Sequence, residues 1–553
     1  MVVRNRARTR GHSVALSVNN TTPLYIASGI NNIFPSSFTS SANQYRCSVI
    51  NRPITLDSSI TSAGGFIELY LLYTNWAGIA GGTQVGNETL TVQPVLRKWG
   101  SGSVITGTCV ANESNTLGGA SYTMATGGYC VFKFVMPTPA MNGDKYHEIV
   151  DVIGGTAGTI NRLVSHQTVP WNGEGQLGAS ATVPGTGLAA GGAVLGYGAT
   201  ATPVLSAGAI NSLTINAGGG NWISTFNGVT AAKNAYFHDA RNESSVVANY
   251  ALTLTGSVVT AGFKNAGGAG FTNTPSLPET RLWNGITSTQ VYGAALMFGK
   301  LSDSTIKLVS SVDVSDSRGI GVNSTDGNGD ILGCKGTNGR AFANKVGLCV
   351  VGVSGDLLSH TANTRYKTAL EACKALGLRI NNYCISRGVN DWVGNSALSV
   401  ASMEGYLSTH RSYWEGTWGA KGFYRTIDPY ITSATNASPA STQAPFNSAL
   451  GTTGATTDTS KRGQWNASIL ARSGAPYDFY YAPMNTLTFT QDATYPASWS
   501  RATAYQINAA DGAHLGSIAS GSLLSGTTYK YNQNSGYDGM AAAMASYVNN
   551  LVA

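Results

Sequence analysis

Residues 306–319 read IKLVSSVDVSDSRG. The first nine, 306–314, are rich in Val, Ile and Leu and read as a strand buried in a sheet. A turn of small and polar residues follows at once: Ser315-Asp316-Ser317-Arg318-Gly319. Reading forward, strands and helices alternate. Residues 361–376 fit an amphipathic helix, with Tyr366, Ala369, Leu370 and Cys373 spaced i, i+3, i+4 and i+7 and Gly377 as its stop. Residues 382–386 read as a strand. Residues 400–414 read as a helix with Met403, Leu407 and Trp414 on one side. A strand over 422–427 ends at Asp428-Pro429, a helix covers 464–471, and a strand covers 477–481. A final helix, 540–551, carries Met540, Met544, Tyr547 and Leu551 inward. Residues 431–460, rich in Thr, Ser and Ala, break the rhythm as an inserted loop. Alternation of this kind predicts a three-layer α/β domain over 301–553, with a parallel sheet, helices on both faces and functional groups at the carboxyl ends of the strands.

Reading backward, the texture is different. Between residues 21 and 300, short apolar runs such as 66–73 (FIELYLLY), 89–96 (TLTVQPVL), 129–136 (YCVFKFVM), 249–254 and 291–298 are separated by Gly, Asn, Ser and Thr. Strands of that length between turn formers predict a β-sandwich or jelly-roll-like region. A break near 173–220, rich in Gly, Ala, Ser and Thr, leaves three readings open: a long loop, strands of small residues, or a linker. Residues 1–20 carry Arg4, Arg6, Arg8 and Arg10 and read either as an anchor for an acidic partner or as a solvated tail.

Composition narrows the class. Of 553 residues, 42% are hydrophobic and 11% charged, with 68 glycines. That apolar share builds cores, and the chain is long enough for two or three domains. A net charge of +7 over such a length is a weak argument for nucleic-acid binding, and none is expected. No run reaches the ~18 apolar residues of a membrane span. No apolar stretch follows the first arginines, so no secretion signal is read there.

The seven cysteines form no CxxC pair and call for neither a zinc site nor a disulfide framework, although Cys109 and Cys130 are placed where they could pair. His147, His166, His238, His360 and His410 lack metal-ligand spacing. The calcium-loop beginning at Asp326-Gly327-Asn328-Gly329-Asp330 fails at its twelfth position, which is Thr337. No metal or other cofactor is expected.

Four short blocks each follow an expected strand: Ser315-Asp316-Ser317-Arg318-Gly319, Gly352-Val353-Ser354-Gly355-Asp356, Gly388-Val389-Asn390-Asp391 and Asp511-Gly512-Ala513-His514. In that order they resemble the SGNH, or GDSL-type, serine hydrolases over residues ~300–553. The resemblance implies Ser317 as nucleophile, with His514 as its base and Asp511 orienting the imidazole. It also implies an oxyanion hole made by the backbone N–H groups of Ser317 and Gly355 and the amide of Asn390. These residue types suit acyl transfer. A serine hydroxyl needs an adjacent base, an imidazole titrates near neutrality, and the tetrahedral oxyanion requires preorganised donors. One departure is Ser315, where the family has Gly. Taken singly, Ser317 and Asp316 also suit helix capping, and Asn390-Asp391 suits a turn. Trp392 reads either as a wall of the substrate pocket or as core.

The resemblance implies an ester hydrolase. A β-rich region ahead of such a domain, a surface poor in charge and no secretion signal together suggest a phage tail-fibre or tailspike-like protein. Its partners would be an acylated bacterial surface polysaccharide, losing O-acetyl groups, and other virion proteins held through the N-terminal region. It would be a homo-oligomer, a trimer by analogy, located in the virion or otherwise extracellular. A virion adhesion protein with a vestigial esterase domain, and a secreted cellular carbohydrate esterase, are the alternatives.

Overall fold

In a computed structural model of the protein, the residues described are, with short breaks, 22–154, 161–178, 197–237, 248–266, 281–319, 337–425 and 461–471, together with short strands at 479–481, 501–503, 506–507, 522–524 and 527–528. The basic tail, the 431–460 insertion, the expected 540–551 helix and the block Asp511–His514 lie outside the described residues. No helix among the described residues is long and apolar enough to cross a membrane.

Ser310–Ser315, Gly347–Gly352, Asn382–Ser386, Lys421–Arg425 and Phe479–Tyr481 form one five-stranded sheet in which every pairing is parallel. The 310–315 strand lies between 347–352 and 382–386, and the remaining two follow outward from 382–386. Chain order therefore reverses around the 310–315 strand. In open α/β sheets, groups held at the carboxyl ends beside such a reversal line a crevice.

The helix Arg365–Ala375 buries Tyr366, Ala369, Leu370 and Cys373, the face that its spacing predicts. It ends at Gly377, whose φ of 112° is open to glycine, while the Leu378 N–H bonds back to the Cys373 carbonyl at 3.0 Å. The helix Val400–Tyr413 is capped by Ser399, whose hydroxyl accepts from the Ser402 N–H at 3.0 Å, and it buries Met403 and Leu407. Trp414 is buried too, but in the wider turn Trp414–Trp418 that follows.

The β-rich part contains a five-stranded antiparallel sheet of Leu24–Ile26, Leu296–Leu301, Phe66–Thr74, Tyr129–Ala140 and Thr108–Asn112, in that spatial order. Its alternation is two-sided. Leu69, Leu71, Tyr73, Phe132 and Met297 point into a core shared with a second antiparallel sheet, through Val92, Leu96 and Val150 among others. Tyr70, Leu72, Val131, Leu296 and Phe298 point the other way, into a core shared with Val312, Cys349, Tyr366 and Leu370 of the α/β part. Burying each such side chain contributes about 1.5–3 kcal/mol, so the contact between the two parts is a core in its own right. Position 300 therefore divides the chain in sequence but not in packing.

A second seam runs along the edge of the parallel sheet. Leu348 N–H donates to Ser28 O (3.0 Å), Val350 N–H to Asn32 O (2.7 Å) and Phe34 N–H to Val350 O (3.3 Å), so Ser28, Asn32 and Phe34 occupy an edge of the sheet that would otherwise be unpaired. Gly347 is needed for this approach, because a Cβ there would overlap the Ile26 carbonyl. Behind the seam, the Arg52–Glu148 ion pair (2.7 Å, both side chains fully buried) is closed by backbone groups. Arg52 also donates to Asn32 Oδ1 and to the Ala294 carbonyl, and Glu148 accepts the Ala294 N–H at 2.6 Å. A buried pair with its remaining polar atoms satisfied fixes position more than it adds stability.

The segment 173–220 holds strands at Gly173–Gly178, Tyr197–Ser206 and Ala209–Gly220, the last two forming a hairpin closed by Ala207 and Gly208 at positive φ. Cys109 and Cys130 are both free and buried. Their strands are neighbours, but Cys109 faces Phe132 while Cys130 faces Asn112, so the register keeps the two thiols from pairing.

Candidate active site

Register brings the first three blocks together. Ser315, the last residue of its strand, pairs with Gly352 on one side and with Ser386 on the other. Asp316 and Ser317, the 353–356 turn and the 387–390 segment thus leave the sheet side by side at its carboxyl end. Ser317 is 6% exposed, in the turn that the Gly319 N–H closes on the Asp316 carbonyl at 3.1 Å. The Ser315 hydroxyl is buried with no hydrogen-bond partner among the described residues. It fills the space against Gly319, where a Cβ would overlap its Oγ and Cβ. Serine at 315 is thus accommodated by the missing side chain at 319.

Gly355 has φ 77°, a conformation that side chains with a Cβ rarely adopt. It is exposed beside Ser354, and a Cβ placed on it would come near only Ala80, 3.9 Å away. Asn390 lies in the short helix Val389–Gly394, entered through Gly388 at φ 135°. Its Nδ2 donates to the Asp356 carbonyl at 3.1 Å and, over a longer 3.4 Å, to Asp316 Oδ2. One amide therefore links all three blocks.

Trp392 is no pocket wall. It is fully buried, its ring sits edge-on to Trp465 with centroids 6.3 Å apart, and its Nε1 donates to the Leu398 carbonyl at 3.1 Å. The helix turns residue 392 into the core while residue 390 faces the strand ends. Asp511 and His514 lie outside the described residues.

The packing behind the site depends on residues that the motif reading passed over. Arg387, 5% exposed, donates from Nε to the Ser315 carbonyl (3.0 Å), from Nη1 to the Leu357 carbonyl (3.4 Å), and from Nη2 to the Val351 carbonyl (3.2 Å) and Asp356 Oδ2 (2.6 Å). Its planar fork thus ties the ends of two strands to the turn that follows the second of them. Asp391 accepts the N–H groups of Leu358 (2.6 Å) and Ser359 (3.0 Å). His360 Nδ1 lies 2.5 Å from Asp356 Oδ1, so that carboxylate faces an arginine on one side and an imidazole on the other. His410 is buried, with Nε2 3.0 Å from the Leu358 carbonyl; burial, with Arg387 nearby, pushes its pKa down to about 3. Its ring is neutral and Nε2 carries the proton. The signal for Arg387 was present in the sequence: a cation directly after the buried run NYCIS cannot stay there unpaired.

Solved structures similar to the chain include the following. A proposed acylhydrolase from Bacteroides fragilis shares 14% identity at a TM-score of 0.28, covering 44% of this chain and 88% of that one. A GDSL-like lipase from Bacteroides thetaiotaomicron shares 14% at 0.26, covering 43% and 87%. A protein from Streptococcus pneumonia described as a proposed platelet activating factor shares 12% at 0.25, covering 44% and 86%. No family model and no curated protein matches the chain.

Proposed function

We propose that the α/β part is a serine ester hydrolase with Ser317 as nucleophile. The observation that carries this is the convergence of Ser317, Gly355 and Asn390 at adjacent strand ends, linked through one amide and backed by a buried arginine. In this reading His514, oriented by Asp511, takes the Ser317 proton as Oγ attacks the ester carbonyl. The carbonyl oxygen becomes an oxyanion held by the N–H groups of Ser317 and Gly355 and by Asn390. Of the two Asn390 bonds, the 3.4 Å contact with Asp316 is the weaker and the one an oxyanion would displace. Collapse expels the alcohol, protonated by His514, and leaves an acyl-Ser317. Water then enters by the same base and releases the acid.

The substrate class we favour is O-acetylated bacterial surface polysaccharide, with the β-rich part binding the polymer or docking on other virion proteins of a tail-fibre-like assembly, itself a homo-oligomer. A surface poor in charge and the jelly-roll-like strand pattern support that context. The low exposure of Ser317 and the two bonds already made by Asn390 favour a second reading, an adhesion protein with a vestigial site. The two are separated by a serine-directed phosphonate and by acetate release from whole polysaccharide. The hydrolase reading expects label on Ser317 and release that Ser317→Ala abolishes. An unlabelled protein with no release supports the vestigial site.

A further inference from the structure

The β-rich part does not stop at the back of the candidate site. The hairpin Trp76–Ile79 and Gly82–Val85 pairs Ile79 with Gly82, leaving a two-residue tip, Ala80-Gly81, with Gly81 at φ 84°. Its base is fixed. Trp76 is buried and stacks on Phe34 with centroids 5.3 Å apart, and the Gly78 N–H donates to the Pro35 carbonyl at 2.7 Å. Two glycines let it lie close against the 353–360 loop. A Cβ on Gly78 would sit 2.7 Å from Val353 Cγ2, and one on Gly81 would meet the His360 ring at 3.4 Å. The Gly81 N–H also donates to Asp356 Oδ1 at 3.4 Å. The tip is thereby held over the turn containing Gly355, with Ala80 as the nearest neighbour to that glycine's open face. Ile79, 40% exposed, and Ala80 are apolar and stand in solvent there.

We propose that this hairpin tip is a wall of the substrate site, contributed by the β-rich part, and that Ile79 and Ala80 set the size of the acyl group accepted. The proposal rests on the hydrolase reading above. A wall facing the open side of the Gly355 turn acts first on whatever is bonded nearest to the carbonyl carbon. The acyl chain is one bond from that carbon and the alcohol carbon two, so acyl length is the property it senses. A short acyl group fits beneath an alanine, whereas each further methylene must pass Ala80 and Ile79.

The test uses the full chain and compares kcat/KM for p-nitrophenyl acetate and p-nitrophenyl hexanoate in wild type, Ala80→Trp and Ile79→Ala. Thermal unfolding and phosphonate labelling are followed in parallel. Filling the space with tryptophan is expected to raise the acetate-to-hexanoate ratio by about tenfold, and trimming Ile79 to lower it by roughly threefold or more. Ile79→Ala keeps the test open should the tryptophan variant fail to fold. Labelled, active and folded variants whose ratio stays within about twofold of wild type would overturn the hairpin proposal while leaving the hydrolase reading intact. A wild type that neither labels nor turns over any ester overturns both.

Discussion

Replacing Arg387 by methionine keeps the length and apolar stem of the side chain and deletes its four polar contacts. The carboxylate of Asp356 is then buried beside an empty position. Breaking one partner out of a buried ion pair costs about 3–5 kcal/mol, and each carbonyl left without a donor adds on the order of 1 kcal/mol if water cannot reach it. Two effects reduce that sum: Asp356 keeps the Leu357 N–H at 3.1 Å and His360 at 2.5 Å. A net loss of about 4 kcal/mol follows. Urea unfolding reads the total, and hydrogen exchange locates it, with protection lost first at the carboxyl ends of the 310–315 and 347–352 strands. Arg387→Lys should recover only part, because a single ammonium cannot span acceptors on two strands and a turn. Arg387→Met with Asp356→Asn should lose less than Arg387→Met alone, since no charge is then stranded. A loss below about 1 kcal/mol for Arg387→Met would show that the guanidinium is worth no more than an exposed one, and that the strand ends are held by something else.

Asn390→Ala should lower kcat by about 10²–10³ while the protein remains folded; turnover near that of wild type would remove the amide from the oxyanion hole. His410 has a folded pKa of about 3, below its unfolded value, so the unfolded chain binds the extra proton. Stability should therefore fall as pH drops from about 6.5 toward 3, by up to about 1.4 kcal/mol per pH unit, and His410→Leu should flatten that part of a stability–pH curve. Gly319→Ala should cost about 1–3 kcal/mol by collision with Ser315, and adding Ser315→Gly should restore most of it, as melting temperatures would show.

The local parts of the fold were legible and the long-range parts were not. The buried face of the 365–375 helix follows from residue spacing alone, and 382–386 was bounded correctly because the apolar run NYCIS is bracketed by polar residues. The strand expected from residue 306 starts at Ser310 instead. Ile306 and Leu308 are apolar because they pack on the core of the two antiparallel sheets, a demand that periodicity cannot separate from strand formation. The run 291–298 divides in the same way, into Gln290–Val291 and Leu296–Leu301. Asn390-Asp391, which taken singly would also suit a turn, lies in a short helix, since Gly388 supplies the positive φ that lets the chain wind directly after the strand. For the candidate site, the order of the blocks pointed to Ser317, Gly355 and Asn390, and the sheet register sets those three blocks at adjacent strand ends. Arg387 and the hairpin over Gly355 were missed because their partners are distant in sequence. Trp392 could not be assigned without knowing which way its helix turned.

The strand Leu24–Ile26 carries a consequence for biosynthesis. Leu24–Ile26 pairs with 296–301, and the Ile26 N–H bonds to the hydroxyl of Ser310, 284 positions away, at 2.8 Å. At about 5–20 residues per second, the 24–26 segment waits roughly 15–60 s on the ribosome before those partners exist. Throughout that interval the 24–26 strand lacks the partner that pairs with it, so this sheet cannot be completed strictly from front to back. Slowing translation should prolong the exposure, and a chaperone that shields short apolar strands should improve the yield of folded protein.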